Sequence, residues 1–412
     1  MVDVVLINPP VDQAVGRNRE AYPLGLACIG AVLRQRGFSV HCIDAYASGM
    51  DCQTVVDAVQ KEKPWVVGIS VLTSSLPYVN VLVHALKGSG IGPIIVGGAH
   101  ITDDPEMTFH LNAEFGLRGE VDYVFSDLVE RFCKSEELGS MYGLVYEHSR
   151  KHVIGGKEVV DAERIPTPAR DLFPLKAYEF TTMNISRGCP YNCSYCSLSC
   201  TRFRLRPIED VLAEINHLLA LGIRKIEFID DVFTFNQAYV NLLCERMQDE
   251  GLRFSWACTT RADLVDEKIL PKMKQAGLRS VSFGVETGSE ERREELGKDI
   301  SDHELACAFK VCRRSGIRTT AYGMIGFPGE SVSDMEATVS FIKGLRPDYF
   351  LLRLTDIVPG TKLYQQALDE GLIDELVWER YSRGEVPYPI YIPKGVDFTH
   401  MKQILLEANK DF

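Results

Sequence analysis

Apolar runs of strand length alternate with stretches of helical period along nearly the whole chain, a pattern that predicts parallel sheets covered by helices rather than a bundle or a sandwich. In the first part, strands are expected near 2–8, 39–45, 65–71, 92–98 and 121–125, with helices near 25–36, 52–62, 75–87 and 105–111. Gly37, just after "ACIGAVLRQR", has the place of a helix C-terminal stop. The fold class is α/β, beginning with an open, doubly wound, Rossmann-like sheet.

Residues 139–175 break this rhythm. The segment suggests a short hairpin around Gly155–Gly156 and then a connection marked by Pro166, Pro168 and Pro174. The expected organisation is a first domain over 1–140, a linker over 141–175, a second domain over 176–375 and a C-terminal cap over 376–412. In the second domain, strands are expected near 181–186, 224–230, 253–260, 280–286, 318–326 and 348–356, each followed by a helix such as "PIEDVLAEINHLLALG". Six strand-helix units make a partial barrel, two short of the full eight, with chemistry expected at the C-terminal strand ends. The tail "VWERYSRGEVPYPIYIP" would cap the barrel or line a substrate pocket, and capping is the expectation.

Composition alters this picture only by exclusion. The 412 residues are 45% hydrophobic and 25% charged, as in an ordinary globular protein. The apolar run "WVVGISVL" falls far short of the roughly 20 residues that cross a bilayer, so no membrane span is expected. A net charge of −12, without a long basic run, argues against a nucleic-acid partner. The start "MVDVVLINPP" lacks the basic and apolar regions of a secretory signal, and a cytoplasmic location is expected. Disulfides are rare there. The twelve cysteines then divide into packing residues, metal ligands and reactive thiols, with Cys28, Cys133, Cys244 and Cys312 expected to be packing.

Four cysteines crowd into "SRGCPYNCSYCSLSC", residues 186–200, just after the first strand of the second domain. Cys189, Cys193 and Cys196 are spaced C-x3-C-x2-C. Thiolates select zinc or iron–sulfur clusters. A structural zinc site usually draws on two separated pairs, and the ferredoxin run begins with a shorter interval. Three thiolates on a tight loop can hold a four-iron cluster and leave one iron open to a ligand. Cys200 is then surplus: a fourth ligand, a substrate-handling thiol or, as expected, buried packing.

This motif, in the flanking context "RGCPYNCSYC" and after the first strand of a six-unit barrel, resembles the radical S-adenosylmethionine (SAM) superfamily. The resemblance implies a 4Fe-4S cluster whose open iron chelates SAM, reductive cleavage of SAM and a 5′-deoxyadenosyl radical that abstracts hydrogen from carbon. It also implies further SAM contacts. Tyr195 matches an aromatic position near the adenine. Asp230, in "EFIDDVFTFN", stands with Asp231 where relatives usually carry Gly-Gly-Glu, although a helix N-cap is an alternative use of the pair. Glu286 in "SFGVETGSE" matches a polar contact to SAM, and Arg261 in "TTRAD" is a candidate carboxylate partner; an exposed ion pair is the alternative for each. Gly323, Ile325 and Gly326 in "YGMIGFPGES" match positions flanking the adenine.

Ligands on doubly wound sheets bind beyond the carboxyl ends of the strands. Those ends read "NPP", which includes Pro10, then "DAYASG", "SVL" and "GG". Asp44, Gly49, Ser70, Leu72, Gly97 and Gly98 resemble the cobalamin-binding pattern D-x-H-x-x-G, S-x-L and G-G, with Tyr46 in place of the cobalt-ligating histidine. Glycines let the backbone approach a bulky ligand, and Ser70 can hydrogen-bond the nucleotide tail. A sheet that binds nothing or holds the substrate is the alternative. His100, after the glycine pair, is expected to be a surface or loop residue.

Both motif sets together identify the chain as resembling cobalamin-dependent radical SAM enzymes. The activity implied is transfer of a methyl group from SAM, through methylcobalamin, to an unactivated carbon of a small-molecule or natural-product substrate. An external one-electron reductant such as flavodoxin or ferredoxin is the expected partner. An oxidative cyclase or rearrangement enzyme with the same domains is the alternative, and a cobalamin or SAM sensor is the non-enzyme alternative.

Overall fold

The computed structural model describes residues 2–11, 22–139, 141–178 and 180–410. The chain forms two compact units: residues 1–181 with 358–360 and 374–388, and residues 182–357 with 361–373 and 389–412.

The first unit is built on a sheet with strand order β2-β1-β3-β4-β5-β6-β7. Strands β1 (Val4–Asn8), β2 (Val40–Asp44), β3 (Val66–Ser70), β4 (Ile94–Gly97) and β5 (Phe115–Leu117) pair in parallel. The first four residues of β1 are buried, as expected of a strand covered on both faces. Order reverses between β1's two neighbours, β2 and β3, which opens a crevice at the carboxyl ends of β1 and β3. The helix Leu24–Gln35 ends as expected at Gly37, whose φ of +88° lets Phe38 N–H bond back to Leu33 O. Asp51 starts the helix Cys52–Glu62 by accepting from Thr54 N–H.

Three expectations need correction here. The strand near 121–125 is instead β5 at 115–117, because Val121, Val124, Phe125, Leu128 and Val129 recur at helical spacing and are buried at the start of the helix Val124–Lys134. The helix near 105–111 is two short ones, Ala99–Asp103 and Met107–His110, divided at Asp104–Pro105. Residues 141–175 are not a free linker. Strands β6 (Leu144–His148) and β7 (Lys151–Ile154) extend the first sheet in antiparallel pairing, with their turn at Ser149 and Arg150 rather than at Gly155–Gly156. The coil that follows satisfies its backbone against the same unit: Glu158 N–H donates to Arg118 O, and Ala169 N–H to Ala27 O.

The second unit is a six-stranded open sheet in the order β15-β14-β13-β12-β11-β8. Its members are β8 (Thr181–Met183), β11 (Lys225–Phe228), β12 (Ser255–Thr260), β13 (Leu278–Glu286), β14 (Arg318–Ile325) and β15 (Tyr349–Leu354). A small ribbon, β9 (Ser186–Arg187) against β10 (Arg204–Leu205), interrupts the sequence order. Each expected strand is present and, from β11 onward, neighbours run parallel. Helix-facing side chains such as Phe228, Trp256 and Phe283 join helix residues in one buried core. Ser301 and Glu304 form a reciprocal cap at the start of the helix Asp302–Arg314.

The tail is divided rather than forming one cap. Residues 374–388 belong to the first unit, where Trp378 is buried against His100. Residues 389–412 belong to the second, where the helix Phe398–Ala408 packs on the outer side of β14 and β15. Asn409 donates to Leu352 O and accepts from Leu352 N–H, which satisfies the backbone of the last strand. No helix among the described residues is long and apolar enough to cross a membrane.

Candidate active site

In the second unit, β9 and β10 form the neck of a loop over 188–203 that carries the cysteine cluster. Gly188 has φ of +87°, and a Cβ there would stand 2.2 Å from Arg202 O, so glycine is required for the loop to close. Thr201 ties the loop across its base: its N–H donates to Cys189 O (2.9 Å), and its hydroxyl accepts from Cys189 N–H (2.8 Å). Segments after β13 and β15 hold the far side. Ser194 N–H donates to Leu296 O, and Leu363 N–H to Ser194 O.

Cys189, Cys193 and Cys196 are all part-buried. Burial raises the Cys189 thiol and pushes Cys196 to about 11, so cluster binding must draw protons from these sulfurs. Among the described residues, no three His, Cys, Asp or Glu side chains converge as one metal ion would require. A cubane takes each thiolate at a separate iron, and a three-thiol loop fits that donor set. Cys200 is not buried packing. It is exposed, at φ +55°, with its thiol 3.2 Å from Asn192 Oδ1.

Asp230 is buried and turned inward. Its carboxylate accepts from Ile185 N–H, Ser186 N–H and the Ser186 hydroxyl, so it fixes the chain that launches the loop. Burial raises it to about 7 despite these bonds. Asp231 is the exposed member of the pair, and its charge raises both Cys189 and Cys196. Arg261 is buried rather than exposed. It pairs with Asp263 (3.0 Å), donates to Lys298 O (2.8 Å) and lies 3.7 Å above the Tyr191 ring.

Glu286 closes β13 in the left-handed region, φ +65°, at a break in register with β14. Its Oε1 accepts from Lys298 Nζ at 2.8 Å, and both side chains are nearly buried. A Cβ on Gly284 would come within 2.2 Å of that oxygen and 2.7 Å of Nζ, so the buried pair depends on a glycine. Tyr195 has its hydroxyl pushed up, first by burial and then by Glu286 and Cys193.

The sides of β14 differ from expectation. Ile325 is buried in the outer layer with Met335 and Met401, and a Cβ on Gly323 would strike Ile342 at 2.6 Å, so neither position presents a side chain inward. Met324, on the opposite face, packs in the cluster that includes Tyr195 and Phe327. Gly326, at φ +93°, donates to Glu330, which also accepts from Phe327 N–H and holds the turn.

In the first unit the matched residues gather at the carboxyl ends of the strands. Gly98 has φ of +112°, and a Cβ would lie 2.8 Å from Val71 O and 3.4 Å from Ser70 Oγ; Gly97 makes only ordinary contact with Leu117. Gly98 is therefore the position where the backbones approach closely. Leu72 is 48% exposed, Tyr46 is part-buried and Pro10 is buried. Gly49, at φ +64°, ends the short helix Ala45–Ser48, which Asp44 caps through Ala47 N–H. His100 is buried, not a surface residue. Its Nδ1 lies 3.0 Å from Thr73 Oγ1, and burial lowers it to about 3.

Lys298, Gly284, Glu330, Asn8 and Tyr178 were not singled out from the sequence. Only "GVE", with an acid two residues past a glycine at a strand end, carried a local signal.

A glycine cradle beyond the parallel strands of one sheet and a three-cysteine loop beyond the first strand of a second define a B12-binding, radical SAM protein. The B12 binding domain family matches residues 16–129, and the radical SAM superfamily matches residues 183–342. An uncharacterized methyltransferase of Pyrococcus horikoshii is 31% identical over 400 residues, covering 93% of this chain and 86% of that protein. The chain belongs to the cobalamin-dependent radical SAM enzymes, whose cofactors are a 4Fe-4S cluster, SAM and cobalamin. An anaerobic magnesium-protoporphyrin IX monomethyl ester cyclase of Cereibacter sphaeroides is 24% identical, covering 91% of this chain and 64% of that one. The fold is shared with the radical SAM methyltransferase TsrM from Kitasatospora setae, solved with cobalamin and a [4Fe-4S] cluster. The TM-score is 0.80 at 17% identity, over 98% of this chain and 90% of that one.

Proposed function

We propose that this protein is a C-methyltransferase that moves a methyl group from SAM, by way of cobalamin, to an unactivated carbon of a small molecule. The observation that carries the reading is the cysteine loop and the Gly98 cradle in one chain, together with a relative named as a methyltransferase that matches 93% of this chain. When bound, the cluster and SAM supply a hydrogen-abstracting radical, and the corrinoid supplies the methyl group.

Cys189, Cys193 and Cys196 hold the cluster in this reading. Tyr195 and Met324 form an apolar wall beside it, while the Glu286–Lys298 pair offers a polar contact to SAM. Arg261 acts by positioning, since Asp263 and Lys298 O already engage its guanidinium. Ser70, Leu72, Gly97 and Gly98 line the corrinoid side. A small redox protein supplies the electron.

The test is anaerobic reconstitution with SAM labelled in its methyl group, reduced cobalamin and a chemical reductant. Label on the corrinoid and release of 5′-deoxyadenosine support the proposal; a protein that does neither refutes it. Cys193→Ala should abolish the iron–sulfur absorption and leave corrinoid binding intact. The cyclase relative favours a second reading, oxidative ring formation. Product mass separates the two: methylation adds a methylene, whereas ring formation removes hydrogen.

A further inference from the structure

Asp44 ends β2 two residues before the position where the cobalamin-binding pattern carries its histidine. A carboxylate near a metal-bound imidazole ordinarily accepts that ring's second N–H and so orients it. Here position 46 is tyrosine, and the carboxylate is engaged elsewhere. Oδ1 accepts from Asn8 Nδ2 (2.9 Å) and from Ala47 N–H (3.0 Å), and Oδ2 accepts from the Tyr178 hydroxyl. Asp44 is 5% exposed and Tyr178 is 7% exposed.

Tyr178 lies 134 residues away in sequence, in the coil after the first sheet. Its ring packs edge-on against Tyr22 at 5.4 Å, so the hydroxyl is aimed by apolar packing as well as by Asp44. Burial, and then the bond to Asp44, raise its pKa far above the ordinary phenol value, so it remains a donor throughout the physiological range. The bond to Ala47 N–H fixes residues 45–48 as one helical turn, and Gly49 in left-handed backbone ends it.

We propose that Tyr178 is a positioning residue of the corrinoid site: it replaces the imidazole as the partner of Asp44 and locks the 44–49 turn, so that no nitrogen at position 46 can be oriented toward cobalt. The inference rests on cobalamin binding in the first unit and goes beyond it by assigning a role to a residue outside the motif. The locked turn makes two changes necessary for ligation. Tyr46→His supplies the nitrogen, but Asp44 is still held by the phenol. Tyr178→Phe frees Oδ2 while keeping the ring that packs on Tyr22.

The experiment labels the full chain with nitrogen-15 histidine, loads it anaerobically with cob(II)alamin and records its electron paramagnetic resonance spectrum, in which an axial histidine nitrogen splits the cobalt lines twofold; the threefold splitting given by the cofactor's own benzimidazole nitrogen is not counted. Far-ultraviolet circular dichroism checks the fold of each variant. The expected result is no twofold splitting in the unchanged protein, in Tyr46→His or in Tyr178→Phe, and clear twofold splitting in the double variant. Twofold splitting in Tyr46→His alone overturns the proposal, and this arm needs no change at Tyr178. A folded, loaded double variant without twofold splitting also overturns it, as does twofold splitting in the unchanged protein. Should the unchanged protein retain no corrinoid after gel filtration, the underlying cobalamin reading falls as well, and that failure shows before any substitution is made.

Discussion

Glu286 is held in backbone that a non-glycine residue rarely adopts, and its buried partner Lys298 leaves no room for a side chain at Gly284. Gly284→Ala should force the pair apart. A cost of about 1–3 kcal/mol is the usual penalty for overpacking, and weaker SAM binding by equilibrium dialysis should accompany it. Gly188→Ala meets a carbonyl instead of a flexible side chain and should lower iron content without lowering corrinoid binding. Asp230 offers a different contrast. Asp230→Asn keeps an acceptor oxygen for its donors, whereas Asp230→Ala leaves three donors unanswered, each at about 1–3 kcal/mol. Iron content should survive the first change and fall in the second. The three-cysteine loop and the close approach at Gly98 could be located in the sequence because their motif spacing is local. The Asp44–Tyr178 and Glu286–Lys298 partnerships could not, because a side chain's partner is chosen by the fold over separations of 134 and 12 residues. Cys133 and Cys200 are both exposed rather than packed: apolar neighbours in sequence do not ensure burial for the first, and being surplus to the three-cysteine motif does not for the second.

Among elements, the strands of the second unit were the easiest to read, since each is an apolar run closed by turn residues. β5 escaped because it has three residues, one of them glycine; the β6–β7 hairpin was expected, but its turn was misplaced and its membership of the first sheet was missed because polar side chains on its open face imitate a linker. The helical segment Val377–Ser382 also escaped, although it buries Trp378 against His100. Trp378→Ala should destabilise the first unit by about 3–5 kcal/mol, the range for a large core aromatic, read as a lower denaturant midpoint. His100 makes this contact acid-sensitive. Its ordinary value is 6.5 and burial lowers it to about 3. Above pH 6.5 both folded and unfolded forms are neutral there. As pH falls from 6.5 toward 3, the unfolded chain gains a proton that the folded chain refuses, and stability drops by up to about 1.4 kcal/mol per pH unit from this group. His100→Gln should flatten that part of a stability–pH profile measured by urea unfolding.

For the molecule as a whole, the chain does not visit its two units once each. It completes the second sheet, returns to the first unit at 358–360 and 374–388, and ends on the second. A chain ended after residue 357 therefore loses Trp378 from one unit, and the helix Phe398–Ala408 and Asn409 from the other. Both units should become more sensitive to limited proteolysis, with no single cut releasing a stable fragment of residues 1–181. This return path also sets an order of events during synthesis. A ribosome that has just finished residue 181 has delivered every strand of the first sheet but not the indole that covers His100, which emerges only some two hundred residues later. Until then the nascent chain must wait with that surface wet, so a translational pause placed between residues 181 and 374 should lengthen the polypeptide's exposure to chaperones and proteases.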